Sequence, residues 1–162
     1  MASEERDQVN MSVLGKSRRP PEVGDVFAML QSDGRFLFGR VIDTNANPLG
    51  VGGAILIYVY RVRSVGQVPV PRLRRDELLL PPIMTNRQAW TRGYFKCVES
   101  RPLEPTDRLD RHSFRDSNGR YFDERGNRLS GAIEPVGIWG LQSYHGIDDA
   151  ISRALGIPLA AE

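Results

Sequence analysis

Residues 22–42 read Glu-Val-Gly-Asp-Val-Phe-Ala-Met-Leu-Gln-Ser-Asp-Gly-Arg-Phe-Leu-Phe-Gly-Arg-Val-Ile. Two short apolar runs flank Asp33-Gly34, and Asp-Gly is a dipeptide that tight β-hairpin turns favour. The stretch therefore predicts two antiparallel strands, residues 25–30 and residues 35–43. This hairpin indicates a twisted antiparallel sheet and argues against a βαβ unit near the start of the chain.

Both predicted strands carry apolar side chains on their two faces. In the first strand, Val26 and Ala28 alternate with Phe27 and Met29. A sheet that curls on itself, or that is covered on its second side, explains this pattern better than a flat sheet open to water. Gly39, in the middle of the second strand, predicts a bend or a bulge where such a sheet turns.

Four further elements follow along the chain. Residues 54–62 are the strongest predicted strand, because β-branched and aromatic side chains run through them without a break. Residues 74–80 predict a short helix that ends before Pro81, and residues 86–90 predict a turn or a second short helix. Residues 94–98 predict another strand.

The clearest helix lies near the C-terminus. Apolar side chains recur there at the spacing of one helix face, at Ile147, Ala150, Ile151, Ala154 and Leu155. Asp148 and Asp149 are predicted to lie in its first turn, where the helix dipole favours acidic side chains. Gly156 and Pro158 predict its end. We expect this helix to dock on the sheet.

Composition and length are those of one globular domain. The chain has 162 residues, of which 40% are apolar and 26% charged. We predict a single α+β domain over residues 22–158, preceded by a flexible tail over residues 1–21. The domain is mainly β, with a strongly curved antiparallel sheet or a partly open small barrel, a short mid-chain helix and a C-terminal amphipathic helix.

Charge and cysteine content indicate the compartment. The net charge is only +2, whereas dedicated nucleic-acid binders concentrate positive charge on one face. Cys97 is the single cysteine and cannot form an internal disulfide, which favours a reducing compartment. The sequence contains neither a signal-peptide pattern nor about 20 consecutive apolar residues. We therefore expect a cytoplasmic protein without a membrane partner.

No residue set predicts catalysis, a cofactor or a metal. The two histidines, His112 and His145, lack the spacing of metal ligands. We expect His112 to lie in a charged surface loop and His145 at the start of the last helix. Cys97 is expected to be buried and inert. The glycines of residues 50–53 precede a strand rather than a phosphate-binding loop.

A local basic region spans residues 61–75. Guanidinium groups pair with phosphate or carboxylate, so Arg72, Arg74 and Arg75 form a possible anion-binding site. However, Asp76 and Glu77 follow directly, and a solvated rim around a small sheet also needs charges. Contact with nucleic acid is therefore the less favoured interpretation of this region.

The best predicted recognition surface is a hairpin arm. Turn signals at residues 117–119 and 125–127 separate short strands that are too polar to form a core. Exposed aromatic side chains beside arginine are typical of protein-binding hot spots. The candidate partner-binding residues are Arg115, Arg120, Tyr121, Phe122, Arg125 and Tyr144. Trp90 and Trp139 are expected to pack in the core.

The N-terminal hairpin resembles the opening of the immunity protein 26 family. Members of that family begin with a Gly-Asp-x-Phe strand, an Asp-Gly turn and a strand ending in aromatic-x-x-Gly-Arg-Val. The corresponding residues here are 24–27, 33–34 and 36–41. The resemblance extends more loosely to about Leu155, whereas residues 1–21 and the arginine-rich residues 61–75 depart from it.

The resemblance implies a bacterial immunity protein of a polymorphic toxin system. Such a protein binds and neutralises a cognate protein toxin by occluding it, and it is not an enzyme. One alternative is a small β-barrel protein that contacts nucleic acid through residues 61–75. A second alternative is a barrel that binds a small molecule, which requires a wide interior cavity.

Overall fold

A computed structural model of the protein describes residues 8–50 and 52–161. Its larger sheet has five antiparallel strands in the order β4-β3-β2-β1-β5. These strands are β1 (Asp25–Leu30), β2 (Phe36–Ala46), β3 (Ala54–Ser64), β4 (Ile83–Thr85) and β5 (Lys96–Ser100). Because β4 and β5 are edges and do not pair with each other, the sheet is open and does not close into a barrel.

The predicted N-terminal hairpin is confirmed. Strands β1 and β2 pair in register from Val26↔Arg40 to Leu30↔Phe36. Gly34 has φ +79°, the positive value that favours glycine in the turn. The amide of Gln31 donates to the carbonyl of Arg35 over 3.1 Å and closes the turn.

The larger sheet is strongly curved along β2 and β3. Their register shifts at three places, the first of them between Leu37 and Gly39. A bulge inserts an extra residue, which bends its strand and increases the twist. The predicted irregularity at Gly39 is therefore confirmed, and so is the predicted curved, partly open sheet.

Both faces of this sheet are covered. One face carries the main core, in which the rings of Phe27, Trp90 and Phe95 lie 4.5–5.2 Å apart. Ile147 and Ile151 of the C-terminal helix pack into the same cluster, as expected from their spacing. The other face carries Leu56, Tyr58 and Met84, which pack against Phe114 of the second sheet.

The second sheet is small and has the order β8-β7-β6-β9. It consists of β6 (Ser113–Arg115), β7 (Tyr121–Phe122), β8 (Arg128–Leu129) and β9 (Val136–Ile138). The first three strands form an antiparallel meander, which is the predicted arm. Strand β9 pairs with β6 in parallel, a long-range pairing that the sequence did not indicate.

The helices are α1 (Gln88–Thr91) and α2 (Tyr144–Leu155). Helix α1 confirms the prediction of a short mid-chain helix. The separate prediction of a helix over residues 74–80 is wrong. There, Leu78 forms a β-bridge with Tyr60, and the amide of Leu79 donates to the carbonyl of Val59. Backbone pairing with the sheet thus outweighs the local helix propensity of this segment.

Helix α2 begins earlier than its apolar pattern indicates. The hydroxyl of Ser143 accepts a hydrogen bond from the amide of Gly146 over 3.1 Å and caps the helix. Asp148 is consequently not in the first turn and lies buried. Gly156 ends the helix with φ +69°, as predicted. None of the helices in the described part of the chain is long and apolar enough to cross a membrane.

The predicted tail needs a correction over residues 8–21, while residues 1–7 lie outside the described residues. Met11 is buried in the main core, and Ser12 forms a β-bridge with Leu30. The amides of Asn10 and Met11 donate to the carboxylate of Asp148 over 2.8 and 3.0 Å. We call residues 8–17 the N-terminal strap, because they run across the main core and contact α2.

Candidate functional site

The predicted arm is held by two turns that use the same device. Asp116 accepts hydrogen bonds from the amides of Asn118 and Arg120, and Asp123 accepts them from the amides of Arg125 and Asn127. In both turns the glycine, Gly119 or Gly126, has a positive φ. Aspartate followed by glycine three residues later therefore fixes the local conformation of each turn.

Strand register brings four side chains into one row on the outer face of the small sheet. Arg115 lies opposite Tyr121 on one side and opposite Ile138 on the other, and Tyr121 lies opposite Leu129. We call the row Leu129, Tyr121, Arg115 and Ile138 the arm face. Arg115 is exposed, and Ile138 is 61% exposed. Sequence reasoning missed Leu129 and Ile138, because the parallel pairing of β9 leaves no local signal.

Phe122 lies on the opposite face of the small sheet. Its ring stacks on Trp139 at 4.6 Å, and the guanidinium of Arg128 lies 5.9 Å from its centre. Both rings are half-buried, and Trp139 packs against the cluster of Tyr58 and Phe114. Phe122 thus contributes to holding the arm on the larger sheet.

Two of the predicted arginines are already paired within the protein. The guanidinium of Arg120 lies 3.0 Å from the carboxylate of Asp116, in its own turn. Arg125 forms an ion pair with Asp43 at 2.8 Å and donates to the carbonyl of Asn45 over 2.8 Å. Arg125 therefore ties the second turn of the arm to strand β2.

The structure does not place Tyr144 on the arm face. Tyr144 begins helix α2, is buried in the main core and stacks on Tyr94 at 5.3 Å. The guanidinium of Arg92 lies over its ring at 5.3 Å. A side chain packed in this way is not accessible to a partner, so Tyr144 leaves the set of candidate partner-binding residues.

The predicted anion-binding arginines do not present three free guanidinium groups. Arg74 is paired with Asp76 at 3.0 Å, and the hydrogen bond raises its pKa. Arg75 donates to the carbonyl of Arg108 and lies 3.5 Å from Asp110. Among the residues that the structure describes, only Arg72 of the three lacks an ion pair.

His112 was expected on the surface, but it is buried in a chain of hydrogen bonds. Its Nε2 lies 2.5 Å from the hydroxyl of Tyr58, and its Nδ1 lies 3.2 Å from Glu124. The Tyr58 hydroxyl also accepts from the amide of Leu109 over 3.0 Å. The hydroxyl proton is therefore free to be donated to Nε2, which leaves Nδ1–H to donate to Glu124.

The pKa values of the two acids in this chain of hydrogen bonds are shifted in opposite directions. Burial raises the pKa of Tyr58 to about 12. Burial also disfavours the charged form of Glu124, but its hydrogen bonds, first that from His112, outweigh burial and lower its pKa. The three residues connect the arm, through Glu124, to strand β3, through Tyr58.

The remaining candidate groups are His145 and Cys97. His145 is exposed at the start of α2, as predicted. Cys97 is half-buried rather than buried, and burial raises the pKa of its thiol. Within residues 8–50 and 52–161, His, Cys, Asp and Glu nowhere form a group of three that could hold a metal ion.

Comparison with known proteins agrees with the motif of the first hairpin. A model of the family described as immunity protein 26 matches residues 22–122, which is more than half of the 162-residue chain. Neither curated proteins nor solved structures gave a match. The matched region contains the larger sheet and ends at Phe122, inside the arm. By this match, the chain belongs to the immunity protein 26 family.

Proposed function

We propose that this protein is a bacterial, cytoplasmic antidote that neutralises a cognate protein toxin by binding it, without catalysis of its own. Membership of an immunity-protein family is the observation that carries the proposal. The geometry supports the binding mode, because the arm face places the exposed side chains of Arg115 and Ile138 beside the half-buried Tyr121. Arginine and aromatic side chains are enriched at the energetic centres of protein interfaces.

The buried histidine supports a role without catalysis. A general base must come within hydrogen-bond distance of a proton on its substrate. Both ring nitrogens of His112 are already bonded to Tyr58 and Glu124, and His112 is 4% exposed. A substrate would have to displace one of these bonds in a packed core, so we assign His112 to holding the arm in place.

Co-expression tests the proposal. Bacteria that express the cognate toxin should die, and they should survive when this protein is produced with it. An Arg115→Glu variant should protect less than the wild type, because it reverses the exposed charge of the arm face. A Val65→Asp variant is the matched control, since Val65 is 86% exposed and lies outside the arm. Death at equal frequency with and without the wild-type protein would refute the proposal.

A further inference from the structure

We infer that the arm face accepts an acidic segment of a protein partner, with a carboxylate opposite Arg115 and an aliphatic side chain in a pocket beside Ile138. The inference rests on the proposed function and adds the chemistry of the partner. It combines two neighbouring features, the charge of Arg115, which forms no ion pair with the described residues, and a small apolar pocket. Both border Ile138.

The apolar pocket lies between the small sheet, strand β4 and helix α2. Its volume is about 90 Å³, and its apolar walls are formed by Leu80, Pro82, Ile83, Ile138 and Ala150. Pockets for small-molecule ligands usually have volumes of about 300–1,000 Å³. The pocket is therefore too small for such a ligand and suits a single aliphatic side chain of a protein.

The frame around the pocket is already formed in the free protein. The amide of Gln142 donates to the carbonyl of Met84 over 2.8 Å, and the hydroxyl of Thr85 donates to the carbonyl of Gln142 over 2.6 Å. Ser113, which lies opposite the pocket residue Val136, exchanges two hydrogen bonds of 2.7 and 2.9 Å with Ile133. A site that is ordered before binding loses less conformational entropy when the partner arrives.

The acidic groups around the arm do not pair with Arg115 in the described part of the chain. The acidic groups Asp116, Asp123 and Glu124 are all bonded within the arm or to His112. In the part of the chain that the structure describes, Arg115 forms no ion pair. Glu134 lines the groove beside Arg115 but forms no ion pair with it. The available positive charge of Arg115 therefore favours a partner with a carboxylate at this position.

The combination favours a protein over a nucleic acid. Nucleic-acid binding depends on several Lys or Arg side chains that contact successive phosphates. Here a single arginine without an ion pair to the described residues lies between Tyr121 and Ile138 and next to a mainly apolar pocket, which contains no Lys or Arg side chain for a phosphate. Arg74 and Arg75 are paired elsewhere with Asp76 and Asp110.

A random-peptide display library is the probe, so that the test does not need the toxin. Panning against the immobilised wild-type protein should enrich peptides with Asp or Glu close to Leu, Ile or Val. The synthetic form of the enriched peptide should bind at least about tenfold more weakly to Arg115→Glu and to Ile138→Asp, which change hot-spot positions. Val65→Asp should bind it like the wild type.

Thermal unfolding of each variant shows whether it is folded at the temperature of the binding assay. Enrichment of basic or uncharged peptides, no enrichment, or equal binding by all variants would overturn the inference. A single-stranded DNA oligonucleotide that binds the wild type but not Arg115→Glu, and binds Ile138→Asp unchanged, would also overturn it in favour of nucleic acid. Because no toxin is present, failure here is distinct from failure of protection in cells.

Discussion

At the scale of single residues, the Gly-Arg pair of the family motif has a physical explanation in this chain. A Cβ atom on Gly39 would lie 2.3 Å from the ring of Phe27 and 2.8 Å from the carbonyl oxygen of Tyr58. The neighbouring Arg40 is buried, forms an ion pair with Asp107 at 3.0 Å and donates to the carbonyl of Arg101. Gly39 lets the ring of Phe27 pack across strand β2, and Arg40 fixes the loop beyond β5.

We expect Gly39→Ala to lower the free energy of unfolding by about 1–3 kcal/mol, the usual cost of overpacking a core. The ring of Phe27 cannot move aside easily, because it packs against Phe95 at 4.5 Å and Trp90 at 5.2 Å. Urea denaturation measures the change. Gly131→Ala is the matched control, since a Cβ atom there meets no atom within 4 Å. Equal stability of the two variants would contradict this explanation.

At the scale of elements, local patterns predicted what local interactions determine. The Asp33-Gly34 turn and the period of α2 are encoded within a few residues, and both are found in the structure. The pairing of β9 with β6 and the burial of His112 depend on residues far apart in the chain. Neither feature leaves a periodic signal in the sequence. The sequence therefore predicted the arm, but it did not predict that Leu129 and Ile138 belong to the arm face.

The N-terminal strap is docked on the main core rather than free, and the loss of stability on truncating Met11 tests this. We expect Met11→Ala to lower the free energy of unfolding by about 2–4 kcal/mol, because it leaves a cavity in the main core. Val13→Ala should change stability by less than about 0.5 kcal/mol, since Val13 is 57% exposed. Thermal and urea denaturation measure both variants. A Met11→Ala variant as stable as the wild type would mean that the strap does not dock.

Because Glu124 attaches the arm through a charged hydrogen bond, we expect its contribution to the free energy of unfolding to depend on pH. The pKa of Glu124 is lower in the folded protein than its ordinary value of 4.5. Its charge therefore stabilises the fold above about pH 4.5, and this contribution is lost as the pH falls through the folded-state pKa. We expect Glu124→Gln to cost about 1 kcal/mol at pH 7, because a charged hydrogen-bond acceptor becomes neutral.

The stability difference between the wild type and Glu124→Gln should shrink toward zero as the pH falls below the pKa of the folded-state carboxyl group. Urea denaturation at pH 7 and at the lowest pH at which the wild type remains folded measures how the difference changes. Glu134→Gln is the matched control, because Glu134 is exposed and should give a small difference at both pH values. A cost for Glu124→Gln that stays constant with pH would contradict a role for its charge.

At the scale of the whole molecule, the fold divides into a part that the family model matches and a part beyond it. The match contains the larger sheet, His112 and the first half of the arm, and it ends at Phe122. The face that we propose for binding is completed by Leu129 and Ile138, which lie beyond that end. The proposed binding face thus combines strands inside the matched region with strands beyond its end.

A protein that neutralises its partner only by binding it acts stoichiometrically, because each molecule inactivates a fixed number of partner molecules. Purified toxin, titrated with this protein, should therefore lose activity linearly and reach its minimum at a fixed molar ratio, about 1:1 for one binding face per chain, if binding is tight. The endpoint should not move with longer incubation. His112→Gln should reach the same endpoint where it remains folded, because His112 holds the arm and touches no substrate. Inactivation of many equivalents of toxin per chain, increasing with time and lost in His112→Gln, would instead make the buried histidine a catalytic group.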